Sequence, residues 1–479
     1  LGQFGMEECR HAMNYKQGLA GIPRQEGIAK RFHVFLRKNK EKPGINLLKE
    51  LYSYGLKNHQ FNPDAFVHEL AEGVIGDQYP VPDRMLKIPE AIVQDYLVQE
   101  MCANRPPKGK YDLFATEGGT AAMCYIFDSL MQNFLIKRGD KVALFIPIFT
   151  PYIEIPELDR FNFKVIHINA TGKNVDGMHN WEYPDEELDK LKDPEIKIAY
   201  LVNPSNPPSV ALSPRERKKI IDIIKKDNPN LMFITDDVYG TFVNGFRSLM
   251  AEIPHNTLGV YSFSKYFGCT GWRLGVIALH EKNIYDRMIE ELPEAKKKVL
   301  FKRYHSIHLH PDKLKFIDRM VADSRMVALN HTAGLSLPQQ IQMTLFAAFA
   351  LFDKNNAYKQ LTCDIIHKRL TLLFEGMGFK LKPNPDRAGY YAELDIMLWA
   401  EKTHGKEFAD FLVKNFEPVD VVFRLAELES IVLLNGGGFD GPQWSIRVSL
   451  ANLDDTAYTA IAQGIKEIVS EYVDAWKNK

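Results

Sequence analysis

Between Asp112 and Leu279 one hydrophobic pattern repeats: short apolar or β-branched runs separated by longer helical or loop stretches. The runs are KVALFIP (141–147), FKVIHIN (163–169), IKIAYLVNP (196–204), LMFITDD (231–237), LGVYSFS (258–264) and LGVIAL (274–279). Most are continuous rather than alternating, as strands buried on both faces must be. The spacers TAAMCYIFDSLMQNFL and SPRERKKIIDIIKKD carry helical periodicity, so the order reads as βαβ crossovers. The pattern predicts an α/β fold with a mostly parallel sheet flanked by helices.

The pattern changes at residue 281. EELPEAKKKVLFKRYHSIHLHPDKLKFIDRM is rich in Lys, Arg and His and predicts amphipathic helices with turns, a solvated face or a subunit contact. From Pro338 a long helical pattern (PQQIQMTLFAAFALF, then YKQLTCDIIHKRLTLLFEGMG) leads to strand-like YYAELDIML, SIVLLNG and WSIRVSL and a closing helix. The expected organisation is a large domain over 73–344. A smaller α+β domain is built from 345–479 and completed by 1–72.

Composition narrows the function without naming it. The 479 residues are 45% hydrophobic and 25% charged, with a net charge of -1. A balanced chain has no global field for nucleic acid or an anionic membrane, so neither is an expected partner. Five scattered cysteines without a CxxC pair argue against a disulfide framework and a thiolate metal site, and suit the cytoplasm. No apolar run of about 18 residues predicts a membrane span. The chain begins at Leu1 rather than Met, so a further N-terminal segment is expected.

In open α/β sheets ligands collect at the carboxyl ends of the strands. Four polar sequences fall there: EGGTAA (117–122), NPSNPPS (203–209), TDDVY (235–239) and SFSK (262–265). Gly118, Gly119 and Thr120 open a helix with small residues and a hydroxyl, which suits a phosphate. Ser262, Ser264 and Arg273 add two hydroxyls and a permanent cation beside Lys265, a candidate nucleophilic amine. A Mg²⁺-binding reading of TDDVY requires a GxxxxGK[ST] loop, which the chain lacks. Asp236 instead suits a pyridine N–H⁺, with Tyr239 and Asn206 hydrogen-bonding the ring's 3-oxygen. The glycine cluster in LLNGGGFDG is a turn that delivers Arg447 on a strand, a forked donor for a substrate carboxylate.

These motifs, in this order and spacing, resemble the fold-type-I pyridoxal-phosphate-dependent aminotransferase family over most of the chain. The resemblance implies that Lys265 binds pyridoxal 5'-phosphate covalently and moves the substrate's Cα proton. It places Phe149, in PIFTPY, on the pyridine ring and Tyr79, in IGDQYPVP, on a neighbouring subunit's cofactor phosphate. It therefore implies a homodimer at least, and an assembly of dimers. Within the family, EGGTAAM, PIFTPYIEIPELD, NPSNPPSV, TDDVYGTF, SFSKYFGCTGWRLGV, ADSRMVALNHTAGLS and SLANL are similar to the aspartate 4-decarboxylase group. That implies conversion of L-aspartate to L-alanine and CO₂, with aspartate aminotransferase activity on 2-oxo acids; the alternative is an aminotransferase without significant decarboxylation. A non-catalytic sensor, as in some transcriptional regulators, would need a basic winged-helix segment that residues 1–75 do not show.

Two departures from the general aminotransferase pattern accompany this likeness. NPSNPPS lacks the usual glycine after NPxNP-[TS], and residues 281–331 are extended. Ordinary aspartate aminotransferases anchor the distal carboxylate with an arginine from the neighbouring subunit. Thr332 falls at that place here, with Arg325 and His331 as looser anchors. The group also carries a glycine-rich, substrate-facing N-terminal segment, which is expected upstream of Leu1.

Overall fold

The structure is a computed structural model that describes residues 28–40, 42, 44–76, 84–173, 179–326 and 334–479. Two compact units form, one from Leu1–Lys137 with Ile253–Asn356 and the other from Arg138–Glu252 with Ala357–Lys479. Two of the three points where the chain passes from one unit to the other, 137/138 and 252/253, fall inside the stretch expected as the large domain, and the third, 356/357, falls after it.

The strands are β1 (Tyr111–Thr116), β2 (Lys141–Ile146), β3 (Lys164–Asn169), β4 (Ile196–Val202), β5 (Met232–Asp236), β6 (Thr257–Ser262), β7 (Gly275–His280), β8 (Tyr391–Asp395), β9 (Leu434–Asn435) and β10 (Ser445–Ser449). All six predicted runs between residues 141 and 279 form strands.

In the first unit β7 runs antiparallel to both β1 and β6. Every residue of the three is buried, which explains their continuous apolar sequences. The register sets Thr116 and Ser262 on either side of Gly275. The ends of β1 and β6 therefore meet at the start of β7. The helices Lys87–Met101 and Leu337–Phe352 pack on each other. Gln340, buried between them, accepts from Leu86 N at 2.8 Å and donates to Leu335 O at 2.9 Å.

The basic stretch after residue 281 divides in two. The helix Glu294–Tyr304 is mostly exposed, as expected of a solvated face. The helix Phe316–Met326 belongs to the core instead, because its buried Asp323 accepts from Ser129 Oγ at 2.6 Å and Arg303 Nε at 2.8 Å.

In the second unit β3, β2, β4 and β5 are successive parallel neighbours. β2, β4 and β5 are almost wholly buried. β3 is not: only Ile168 is buried, consistent with the polar Lys164, His167 and Asn169 in its run. The helix Pro214–Lys226 starts at a capping box, in which Ser213 Oγ accepts from Glu216 N and the Glu216 carboxylate accepts from Ser213 N. Here too β8 and β9 flank β10, all antiparallel, and the helices Ala357–Gly376 and Asp455–Lys477 pack together. SIVLLNG contributes only the two residues of β9.

Candidate active site

The first unit gathers the residues expected around a phosphate. The β1 strand ends at Thr116, whose Oγ1 donates to Gly118 O at 3.2 Å. Gly118, at φ 94°, then turns the chain into the helix Gly119–Gln132. A Cβ on Gly118 would lie 2.5 Å from Arg273 Nη2, so the approach of the arginine requires glycine here. The backbone of Gly118 in turn lies so close to Gly275 that a Cβ there would be 2.6 Å from the Gly118 carbonyl carbon. Arg273 is exposed and left-handed at φ 55°, with Nη1 donating to Thr270 O at 3.1 Å and Nη2 to Glu117 O at 3.5 Å.

Ser262 and Ser264 are buried, their hydroxyls 3.0 Å apart, and Ser264 N donates to Ser262 Oγ at 3.3 Å. Lys265 follows in the turn and is half-buried. In the segment leading to it, Phe263 stacks on Tyr96, whose hydroxyl lies 2.6 Å from that of Tyr261. Thr120 is exposed on the first turn of its helix. The first unit thus brings Gly118, Gly119, Ser262, Ser264 and Arg273 to one end of its three strands, with Lys265 in the adjoining turn.

The second unit gathers the residues expected around a ring and a carboxylate. Asp236 ends β5 and is buried. Its Oδ2 accepts from Tyr152 Oη at 2.7 Å and its Oδ1 from Val238 N at 3.2 Å. Tyr152 also meets Phe149 edge to face, with centroids 5.4 Å apart. Asn203 N donates to Asp236 O at 2.8 Å, which ties the NPSNPPS turn to the end of β5. Behind this edge Asp237 is buried against Thr235 Oγ1 and Ser248 Oγ, and burial pushes its carboxyl up to about 7.

Arg447, on β10, lies between the rings of Tyr391 and Phe439, at 4.4 and 4.6 Å from their centroids. Its Nη1 donates to Asn206 Oδ1 at 3.3 Å. Tyr239 is buried beside Tyr390 and Tyr391, and burial with the neighbouring phenols pushes its hydroxyl far up, so it stays protonated. The unit therefore assembles Phe149, Asp236, Tyr239, Asn206 and Arg447. It adds three residues that the sequence reading did not single out: Tyr152, Tyr391 and Phe439. Tyr152 had a signal, since it stands three residues after Phe149, one helical turn on. Tyr79, His331 and Thr332 lie outside the described residues. Arg325 sits in the last turn of the helix Phe316–Met326.

Among the described residues, no group of three or more His, Cys, Asp or Glu could hold a metal ion. Nor is any described helix long and apolar enough to cross a membrane.

A family model, Aminotransferase class I and II, matches residues 115–465. The chain is similar to a bifunctional aspartate aminotransferase and L-aspartate beta-decarboxylase from Pseudomonas sp, with 46% identity over 478 residues, 100% of this chain and 89% of that protein. An aspartate aminotransferase from Sulfolobus acidocaldarius is 30% identical over 168 residues, 34% of this chain and 40% of that one. Among solved structures, an aspartate aminotransferase from Rhodobacter sphaeroides matches with a TM-score of 0.59 at 18% identity, over 87% of this chain and 90% of that one. An aspartate aminotransferase from Thermus thermophilus with maleate gives 0.55 at 17% identity, over 83% and 88%. At such identities the structural likeness speaks to the fold.

Proposed function

Because the chain belongs to the class I and II aminotransferase family, we propose that it is a pyridoxal-phosphate enzyme that converts L-aspartate to L-alanine and CO₂ and also transaminates aspartate with 2-oxo acids. The observation that carries this reading is the likeness to a bifunctional protein along the whole chain, against partial matches to aspartate aminotransferases. Arg447 supports the substrate class. Seated between two rings with one partner in Asn206, it is preorganised for an α-carboxylate.

The residues present fit pyridoxal phosphate. The close approach of Arg273 Nη2 to Gly118 at a helix start, with the paired hydroxyls of Ser262 and Ser264 at the same strand ends, suits a phosphate dianion. The buried Asp236 carboxylate, held by Tyr152 Oη, suits a protonated ring nitrogen. When bound, the cofactor supplies the electron sink for the pair left on carbon as a proton or CO₂ departs.

We assign Lys265 to covalent attachment of the cofactor and to moving the Cα proton. Gly118, Gly119, Thr120, Ser262, Ser264, Arg273 and the partner-reaching Tyr79 are assigned to the phosphate. Phe149 covers the ring, Asp236 keeps its nitrogen protonated, and Tyr239 and Asn206 donate to its 3-oxygen. Arg447 and Asn206 orient the α-carboxylate. Decarboxylation removes the negative charge of the distal carboxylate, so an ion pair there would stabilise the ground state and raise the barrier. Thr332 at that place anchors it weakly and favours CO₂ loss.

The large domain over 73–344 and the small domain from 1–72 and 345–479 belong to the same reading, as do a homodimer at least, assembly of dimers and a cytoplasmic location. Four cysteines, Cys102, Cys124, Cys269 and Cys363, are free thiols, in keeping with a reducing compartment.

The test is a product assay on holoenzyme with L-aspartate. Alanine and CO₂ in equal amounts over many turnovers support the reading. Oxaloacetate with one equivalent of aminated cofactor and no CO₂ would leave a plain aminotransferase.

A further inference from the structure

The second unit holds a cavity of about 470 Å³ that none of the residues assigned above lines. Its walls include Arg387, His179, Trp181, Phe379, Trp399 and, at the rim, the exposed Lys380. This volume suits a small organic molecule.

Three features mark it as more than a packing gap. The Nε of Arg387 is shut off from solvent and has no hydrogen-bond partner among the described residues. Burial lowers this guanidinium to about 10, so it is charged at neutral pH, and no carboxylate among the described residues offsets the effect. The residue as a whole is half-buried, but its enclosed Nε goes unpaired, and an anionic ligand reaching that nitrogen would relieve the cost.

Secondly, His179 Nε2 meets Asp395 Oδ2 at 2.9 Å, while His179 Nδ1 is buried without a partner among the described residues. Asp395 is itself fixed as the N-cap that accepts from Leu398 N at 2.9 Å. In the neutral ring tautomer whose Nε2–H is donated to Asp395, Nδ1 is an acceptor open to a ligand's donor. Thirdly, Trp181 has φ 62°, a left-handed backbone that a bulky side chain rarely adopts, and it stacks on His179 with ring centroids 4.3 Å apart. Such strain is concentrated where structure serves a site.

The other acid on the lining, Glu393, does not oppose an anion. Burial pushes it up to about 8, so it is largely neutral at pH 7.

We propose that this cavity is a ligand site for a small hydroxylated aromatic carboxylate. Its carboxylate pairs with Arg387, its ring lies among Trp181, Phe379 and Trp399, and its hydroxyl donates to His179 Nδ1. An unpaired forked cation selects a carboxylate, the indole and phenyl walls select a flat apolar body, and the imidazole acceptor selects the hydroxyl. Lys380 at the mouth adds attraction for an anion.

The probe is 4-hydroxybenzoate, titrated calorimetrically into the holoenzyme. Arg447→Gln serves as the variant that removes any binding at the substrate arginine. The expected result is saturable binding to one site per subunit, kept in Arg447→Gln and weakened about tenfold or more in Arg387→Gln. Benzoate, lacking the hydroxyl, is expected to bind several-fold more weakly. Turnover of L-aspartate by Arg387→Gln shows that the variant is folded. Should it not fold, Trp181→Ala takes its place under the same tenfold criterion. Absence of saturable binding overturns the proposal. So does binding lost in Arg447→Gln, binding unchanged in the folded cavity variant, or benzoate binding as tightly as the phenol.

Discussion

Arg273 in the first unit and Arg447 in the second are each assigned to an anion, yet the chain holds them by opposite means. Arg273 is exposed, strained into a left-handed backbone, and, among the described residues, bonded to the carbonyls of Thr270 and Glu117. Its place depends on main chain: the register that sets Thr116 and Ser262 beside Gly275, and two glycines without Cβ atoms. Arg447 rides on a regular strand and is steered by side chains, the rings of Tyr391 and Phe439 and the amide of Asn206. A main-chain cradle suits a resident group that never leaves. A side-chain clamp suits a substrate that must enter and go. The two halves should therefore fail differently.

The largest separation is expected between the arginines themselves. Arg447→Ala should lower kcat/KM for L-aspartate about a thousandfold, a loss of about 4 kcal/mol, while cofactor affinity stays within twofold. Arg273→Ala should do the reverse, weakening pyridoxal phosphate about a hundredfold in an absorbance titration. Parallel losses in both variants would erase the distinction.

The next effect falls on the cradle. Gly118→Ala puts a methyl against Arg273 Nη2 at a φ that alanine resists, and should weaken the cofactor about tenfold with KM for aspartate unchanged. For the distal carboxylate, Thr332→Arg supplies a strong anchor. The ratio of CO₂ to oxaloacetate should then fall about fivefold, a change of about 1 kcal/mol in the partition. An unchanged ratio would remove the explanation offered for decarboxylation.

The smallest effect concerns the acid behind the clamp half. Burial raises the folded Asp237 carboxyl to about 7, from the ordinary 3.8 of a free aspartate. Between those values the unfolded chain has released this proton and the folded chain has kept it, so rising pH weakens the fold. Asp237→Asn should shrink the fall in Tm between pH 5 and pH 7.5 by about 2 °C in a calorimetric scan. No change in that fall would mean that the carboxyl ionises without penalty.

Legibility in the sequence followed the same division. The runs that became β2 and β4 to β7 were visible because burial on both faces demands unbroken apolar residues. YDLFAT was passed over, although every residue of β1 is buried, because Asp112 and Thr116 interrupt its apolar character. The first-unit site was legible as motifs, since a main-chain cradle is local: EGGT and SFSK each carry their own geometry. The clamp was only partly legible. Arg447 could be singled out from its strand, but Tyr391 and Phe439 come from other segments and only folding brings their rings to it. The cavity around Arg387 was not legible at all. Its lining comes from residues 179–181, 208, 374–394 and beyond, and no spacing announces an arginine without a partner.

The account rests most directly on Lys265 as the lysine that holds the cofactor. Holoenzyme reduced with borohydride, digested and read by peptide mass spectrometry tests this in one step. The prediction is a single pyridoxyl-modified peptide, carrying the group on Lys265 in the segment that follows β6. A label on any other lysine, or no covalent label at all, would contradict the assignment of both half-sites.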